Sequence, residues 1–212
     1  EKIREERDQT EDRLVIAGCS STRPTPAPAH GHIVVAITID WEGAYLSVDG
    51  LDALDDLRKA LGAPPITHFV SSAYFTKDRP DPKLVASMKE VIREGDELAI
   101  HLHAWKSLAK ASHLEPRLSP SFLTGTDKLL ELEDGDVGFD LDLDAYSVPE
   151  LRALLRTSRT LLEQIRIPIS RSFRAAGNLG TPKVLQAVRD EGYLVDSSAT
   201  DHRLLDERKE DV

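Results

Sequence analysis

The amino-acid sequence predicts an α/β domain in which parallel strands form a sheet or barrel. Apolar, β-branched runs recur along the chain, as at residues 33–39, and are typical of strands buried on both faces. Segments with helical spacing of leucines, such as residues 51–61, separate these runs. Strand–helix alternation indicates parallel strands joined by helical crossovers, with the functional loops at the carboxyl ends of the strands.

The predicted helices are delimited by residues that favour helix ends. Gly62 ends the first helix, and Ser147-Val148-Pro149-Glu150 forms a capping box with a proline in the first turn, which opens a helix to about Gln164. An irregular region covers roughly residues 104–146. The other predicted elements are strands at residues 66–71, 98–102, 171–174 and 193–196, and helices at residues 82–93 and 182–191.

Size and charge limit the possible functions. The 212 residues suit one domain, which we place at residues 32–200, between a charged, Pro/Ser-rich extension at residues 1–31 and a charged tail at residues 201–212. A net charge of −10 argues against binding to nucleic-acid phosphates, and no apolar run approaches the roughly 18 residues of a membrane span. We therefore expect neither a nucleic-acid partner nor a transmembrane segment.

The one cysteine, Cys19, follows Leu14-Val15-Ile16-Ala17-Gly18, which is similar to the cleavage box of a bacterial lipoprotein. Residues 20–30, rich in Ser, Thr, Pro and Ala, would then tether the domain to a membrane. Because charge dominates residues 1–13, the segment lacks the apolar stretch of 7–15 residues, roughly, that a secretory signal needs. Both a lipid-anchored extracytoplasmic location and a cytoplasmic one are compatible with this pattern.

Two histidines one residue apart, His101 and His103, lie at the end of a predicted strand. Their side chains point the same way, because side chains alternate between faces along an extended chain. Asp40 and Glu42 have the same i, i+2 relation at the end of the first strand. Two imidazoles with one or two carboxylates form the ligand set of a catalytic zinc-type site with a position open for water. The sequence therefore predicts a metal-dependent hydrolase.

Four segments in chain order resemble the motifs of the polysaccharide deacetylase family (NodB-like, carbohydrate esterase type). They are Ile-Thr-Ile-Asp-Trp-Glu at 37–42, Glu-Leu-Ala-Ile-His-Leu-His at 97–103, Ser-Phe-Arg-Ala-Ala-Gly at 172–177 and Gly-Tyr-Leu-Val-Asp-Ser-Ser at 192–198. The resemblance covers about residues 33–200. It implies a distorted or incomplete (β/α) barrel, with seven or eight strands in the family, and metal-dependent hydrolysis of an acetamido group or a related non-peptide amide on a sugar.

The motifs depart from the usual family pattern in three ways. Most members have adjacent aspartates where this chain has Asp-Trp-Glu, so Glu42 would take the ligand role one position later. The second histidine usually follows the first by four residues, a position that Trp105 occupies here. A His-x-His-x-Trp variant makes His103 the second ligand. The late leucine–histidine pair, whose histidine acts as general acid, has no counterpart.

The resemblance implies a role for each polar residue of these motifs. A divalent metal, for which Zn²⁺ is the best match, would be held by Glu42, His101 and His103. Asp40 would be the general base, and Arg174 would orient it and keep it ionised. Asp196 matches a carboxylate that orients a catalytic partner in the family.

Three aromatic residues near these motifs have less specific roles. Trp41 and Trp105 flank the ligands and would form either a wall for stacking of a sugar substrate or simple packing. His68 lies inside a predicted strand, where a hydrogen-bonded core imidazole is expected.

The predicted function is metal-dependent removal of acetyl groups from N-acetylated (or O-acetylated) carbohydrate. Two alternatives are a catalytically impaired member of the fold that binds carbohydrate or serves as a scaffold, and a metal-dependent amidase that acts on small non-peptide C–N bonds. The missing general-acid motif favours the former alternative, and nothing in the residues separates the latter from the main hypothesis.

Overall fold

The computed structural model describes the backbone of Val15–Ile16 and residues 35–43, 46–76, 80–123 and 136–198. The lipoprotein-like box at Cys19 and the tail at residues 201–212 fall outside the described residues, apart from Val15–Ile16. Within the described part of the chain, no helix is both long enough and apolar enough to cross a membrane.

Among the described residues, six parallel strands form one sheet in the order β1-β6-β5-β4-β3-β2. Their bounds are β1 Val15–Ile16, β2 Thr38–Trp41, β3 Thr67–Val70, β4 Glu97–Leu102, β5 Ser172–Ala175 and β6 Val195–Asp196. From β2 to β6 the spatial order follows the chain without reversal, and β1 lies beside β6. This is the strand order of a ring that lacks the β1–β2 pairing. The parallel α/β fold is confirmed, whereas closure into a barrel of seven or eight strands is not.

The described part of the chain contains five α-helices, and their bounds are α1 Val48–Ala60, α2 Pro82–Val91, α3 Lys106–Ala111, α4 Val148–Gln164 and α5 Pro182–Asp190. Right-handed crossovers place successive helices on the same face when the strand order does not reverse. Each helix accordingly contributes buried side chains to a single apolar cluster, for example Leu51, Met88, Leu108, Leu154 and Val184.

From residue 51 onward, the predicted helices and strands are all found, with ends displaced by at most three residues. The capping box at Ser147 and Glu150 is confirmed, since each residue hydrogen-bonds to the backbone of the other. The first strand differs most, because it covers Thr38–Trp41 and not residues 33–39. Its pairing partner, β3, begins only at Thr67, opposite Thr38, and Val35 is 74% exposed. Helix α3 lies in the region that was predicted to be irregular.

The two faces of the sheet differ in polarity. Ile100 and Phe173 belong to the apolar cluster beneath the helices, whereas Thr38, Asp40, Glu97, His101 and Arg174 alternate with such residues and lie on the opposite, inner face. Near the amino ends of the strands, Glu97 accepts hydrogen bonds there from Thr67 and Ser172. The inner face therefore carries Asp40, His101 and Arg174, whereas Asp196 pairs with Phe173 and lies on the helical face.

A buried ion pair joins the helical layer to the sheet. Arg58 of α1 donates two hydrogen bonds to Asp96, at 3.1 and 2.6 Å, and the two side chains are only 2% and 0% exposed. Asp96 also accepts from the backbone N–H of Ile66 and from the ring of His68 in β3. The pair thus fixes α1 against the start of β3 and the turn before β4.

His68 extends this network to β2, because its Nδ1 accepts a hydrogen bond of 3.2 Å from the indole N–H of Trp41. An indole can only donate, so the imidazole proton is on Nε2, which donates to Asp96 at 3.1 Å. Burial lowers the pKa of His68, although its contact with Asp96 opposes this effect. His68 is therefore the buried, hydrogen-bonded imidazole that the sequence predicted.

Asp96→Asn is expected to lower the free energy of unfolding by about 3–5 kcal/mol, because it leaves the buried guanidinium of Arg58 without a counter-charge. Urea unfolding followed by circular dichroism measures this loss. Asp55→Asn is the matched control, since Asp55 pairs with Lys59 and Arg93 at the surface. A loss no larger than that of the control would contradict the prediction.

The free energy of unfolding is also expected to fall between pH 7 and pH 5, and more steeply than in His68→Gln. The folded-state pKa of His68 lies below its unfolded value of about 6.5, so the unfolded chain binds the extra proton as the pH falls. Urea unfolding at both pH values, with metal removed from both proteins, measures the difference. Equal slopes for the two proteins would show that His68 titrates normally.

Candidate metal centre

The candidate ligands meet at the carboxyl ends of two strands. Asp40 lies in β2, and Glu42 is the first residue after this strand. His101 lies in β4, and His103 is the first residue after that strand. Only β3 separates these strands in the sheet, and parallel strands present their carboxyl ends at one edge. The structure thus brings together the four residues that the sequence paired only within each strand.

Both imidazoles are held by hydrogen bonds to backbone carbonyls. The Nδ1 of His101 lies 3.2 Å from the carbonyl oxygen of Arg174, and the Nδ1 of His103 lies 2.5 Å from that of Phe139. A carbonyl only accepts, so each Nδ1 carries a proton and each neutral ring has its lone pair on Nε2. Metal-binding histidines are commonly oriented in this way by a second hydrogen bond.

The two Nε2 atoms face each other at 2.9 Å in a buried environment. Two lone pairs at this distance repel unless a cation lies near both. Glu42 adds a negative charge that would attract such a cation, with one carboxylate oxygen 2.7 Å from the Nε2 of His103 and the other 3.8 Å from that of His101. The Nε2–Nε2 contact and the two contacts of Glu42 show that the three side chains direct their ligand atoms toward one common point, the focus of the site.

These distances fit one divalent ion. Ligand atoms that each lie about 2.1 Å from an ion are at most about 4.2 Å apart, a limit that the 2.9, 2.7 and 3.8 Å separations satisfy. Glu42 is a carboxylate near neutral pH, so it adds a negative charge to the two neutral imidazoles. Glu42, His101 and His103 thus form a group that could hold a metal ion.

The site is open on one side. The Glu42 side chain is 56% exposed, whereas those of His101 and His103 are 3% and 4% exposed. Catalytic metal sites differ from structural ones in keeping such a side free for water or substrate.

Asp40 lies beside this group without belonging to it. Arg174 donates a 2.6 Å hydrogen bond to the Oδ1 of Asp40, and the Oδ2 lies 4.0 Å from the Nε2 of His101. Arg174 also donates to Thr38 and Ser197 and stacks over the ring of Phe69, 4.0 Å from its centroid. The Oδ1 of Asp40 is therefore fixed by Arg174, and the Oδ2 faces the candidate metal ligands.

Asp196 is buried at the end of β6, and its hydrogen bonds are to Ser198, two residues later in the chain. Its Oδ1 accepts hydrogen bonds from the backbone N–H and the hydroxyl of Ser198, and the Ser198 hydroxyl in turn accepts from the N–H of Ala175. Burial raises the pKa of Asp196. In the described residues, Asp196 makes no hydrogen bond to Asp40 or to the candidate ligands, and it joins β6 to the end of β5.

The two tryptophans have different environments. Trp105 is fully buried, stacks near Phe139 and donates its indole N–H to the carbonyl oxygen of Glu42 at 3.0 Å. Of the two roles considered for Trp105, its burial and contacts support packing. Trp41 is half-buried and is held by His68, so a stacking contact remains a proposal for Trp41 alone.

Gly43 makes the turn after Glu42 possible. It has a φ of +84°, and a Cβ at this position would lie 2.3 Å from the hydroxyl oxygen of Ser71. A residue with a side chain would have to move either the turn or β3. Gly43 therefore helps to keep Glu42 at the end of β2.

A cavity of about 260 Å³ opens onto the candidate metal centre. Its walls include Asp40, Glu42 and the two histidines, together with Phe122, Leu123, Phe139, Gly177 and Asn178. The sequence interpretation missed the last five. The three apolar residues come from the region without a periodic pattern, whereas Asn178 could have been suspected from its place just after a strand end.

Comparison with known proteins gave little similarity. No family profile and no curated protein matches the chain. Among solved structures, the chain is similar to a crystal structure described as that of a proposed polysaccharide deacetylase from Mycobacterium smegmatis, with 16% sequence identity and a TM-score of 0.49. The alignment covers 78% of this chain and 51% of that one, so the chain spans about half of that protein's length. The function proposed below therefore rests on the geometry of the site.

His101→Ala is expected to weaken zinc binding by more than roughly 100-fold, because removing even an outer partner of a ligand costs about 10–100-fold. Equilibrium dialysis followed by elemental analysis measures the zinc bound per chain. His113→Asn is the control, since His113 is exposed and asparagine tolerates its positive φ. Full zinc content in a folded His101→Ala protein would exclude His101 as a ligand.

Proposed function

We propose that this protein is a metal-dependent hydrolase that removes acetyl groups from N-acetylated (or O-acetylated) carbohydrate. One observation carries the proposal: two buried imidazoles with Nε2 lone pairs 2.9 Å apart share a focus with an ionised, exposed carboxylate. A free carboxylate oxygen, the Oδ2 of Asp40, lies beside that focus. Ligands and a separate base are the parts that hydrolysis of an amide or ester requires.

Glu42, His101 and His103 would hold the ion. When bound, a divalent ion polarises a carbonyl group and makes a water molecule more acidic. The ring orientation of both histidines is set by the carbonyls of Arg174 and Phe139, so ligand positions are fixed before metal binding.

Asp40 would move the proton. Arg174 occupies its Oδ1, so the Oδ2 is the atom that would accept a proton from water as the new C–O bond forms. No third imidazole lines the cavity among the described residues. The same Asp40 oxygen would therefore return the proton to the leaving nitrogen or oxygen as the acyl bond breaks, giving acetate and a free amine or hydroxyl.

Arg174 would act on Asp40 by position. Its guanidinium contacts Asp40, Thr38 and Ser197 and is only 13% exposed. A planar donor held at several points keeps a carboxylate in one orientation better than a mobile ammonium group does. Asp196 and Ser198 would support this arrangement from the neighbouring strand, because they fix the end of β5 that carries Arg174.

A metal-dependent amidase for small non-peptide amides is the second candidate. The cavity of about 260 Å³ is smaller than most ligand pockets and has Phe122, Leu123 and Phe139 in its walls, which suits a small acyl group. An oligomer of N-acetylglucosamine and a panel of small acylamides, each assayed for acid release by zinc-loaded protein, separate the two candidates. Binding of the oligomer without acetate release would favour the catalytically impaired alternative.

Asp40→Asn is expected to lower kcat by about 10²–10⁴-fold while zinc content stays at the wild-type value, because the base is lost and the ligands are not. Acetate release and elemental analysis on the same preparation measure both quantities. Asp49→Asn, an exposed position in α1, is the control. Unchanged hydrolysis in Asp40→Asn would exclude Asp40 as the base.

A further inference from the structure

We propose that the side-chain amide of Asn178 binds the amide group of the substrate and makes the site selective for amides over esters. This inference rests on the proposed function and goes beyond it, because it names a substrate-binding residue and a preference between two acyl classes. Asn178 lies in the turn Ala176–Asn178, directly after β5, and it lines the cavity at the candidate metal centre.

The backbone around Asn178 is held in an uncommon conformation. Gly177 and Asn178 have consecutive positive φ values of 59° and 56°. A Cβ on Gly177 would lie only 2.9–3.1 Å from ring atoms of Phe122, so this turn and the cavity wall require a glycine there. Among residues with side chains, asparagine is one that tolerates left-handed backbone well. The turn therefore fixes where the Asn178 side chain begins.

The chemistry of the cavity makes Asn178 distinctive. Among the described lining residues, the other side chains are charged or imidazole groups assigned to metal and proton transfer, apolar groups, or the hydrogen of a glycine. Asn178 is the neutral hydrogen-bonding side chain of this set. It is half-buried, and its amide has no hydrogen-bond partner among the described residues. An amide without a protein partner on a cavity wall is available for hydrogen bonds to a ligand that enters the cavity.

A carboxamide and an acetamido group are complementary. The Oδ1 of Asn178 can accept from the substrate N–H, while the carbonyl of the substrate faces the metal group. An acetate ester has the same carbonyl and acyl group but no N–H. A site with such an acceptor discriminates against the analogue that leaves it unpaired. The expected consequence is a preference for N-acetyl over O-acetyl substrates.

Asn178→Gly tests this inference, because glycine accepts the positive φ and the substitution removes the whole side chain with its amide. The paired substrates are 4-nitroacetanilide and 4-nitrophenyl acetate, with zinc-loaded protein. We expect a roughly tenfold loss of kcat/KM for the anilide and less than about twofold for the ester, the size that one neutral hydrogen bond gives. Ala63→Gly is the matched control, since Ala63 also has a positive φ, of 57°, and lies beyond the end of α1.

The outcomes separate this inference from the proposed function. Equal losses for the two substrates, or no loss for either, would overturn the role of Asn178 while leaving the hydrolase intact. If wild-type protein hydrolyses neither these two substrates nor the N-acetylglucosamine oligomer, the proposed function fails. Saturation-transfer NMR of N-acetylglucosamine with metal-free and zinc-loaded protein then tests the role of Asn178 in binding. If the wild-type protein binds N-acetylglucosamine and the Asn178→Gly protein does not, the inference is supported. Equal binding by both proteins, or none by wild type, overturns it.

Discussion

The contact between Arg174 and Asp40 joins two strands that are not neighbours in the sheet, and the geometry of the site depends on it. The two residues lie on β5 and β2, three strand spacings apart, or about 14 Å in a flat sheet. Side chains perpendicular to a flat sheet would not meet over that distance, so the 2.6 Å contact requires the sheet to curl toward its inner face. Arg174 bridges this curve across Phe69 and, through its backbone carbonyl, also orients His101. Arg174 therefore contributes both to the curvature of the sheet and to the orientation of one candidate ligand.

The candidate centre is supported from both faces of the sheet. On the inner face, the ligand atoms converge and the charged groups pair with one another. On the helical face, Asp96, which pairs with Arg58, accepts a hydrogen bond from His68. His68 in turn accepts one from Trp41, the residue between Asp40 and Glu42 in the chain. Since side chains alternate along a strand, a residue that anchors one face sets the direction of its neighbours on the other. The contacts of Trp41 therefore help to position Asp40 and Glu42, in addition to the contacts that these two residues make themselves.

The sequence was informative where local physics decides the outcome. Apolar runs, leucine spacing and the capping box at Ser147 located the elements, and the i, i+2 pairs at strand ends indicated which side chains share a face. The predictions from the sequence failed at positions whose structure depends on residues far away in the chain. The beginning of β2 depends on where β3 offers a partner, and the burial of Trp105 depends on Phe139 and Glu42, which no spacing in the sequence brings together. The cavity walls at Phe122 and Leu123 come from a segment without periodicity, so no local pattern could assign them.

The position of the indoles has a spectroscopic consequence. The chain has two tryptophans, and both border the candidate ligands: Trp41 directly precedes Glu42 and donates to His68, and Trp105 donates to the carbonyl of Glu42. Nearly all intrinsic fluorescence excited at the red edge of the absorption band therefore originates within a few ångströms of the ends of β2 and β4. The protein carries its own optical reporter of that region, without any label.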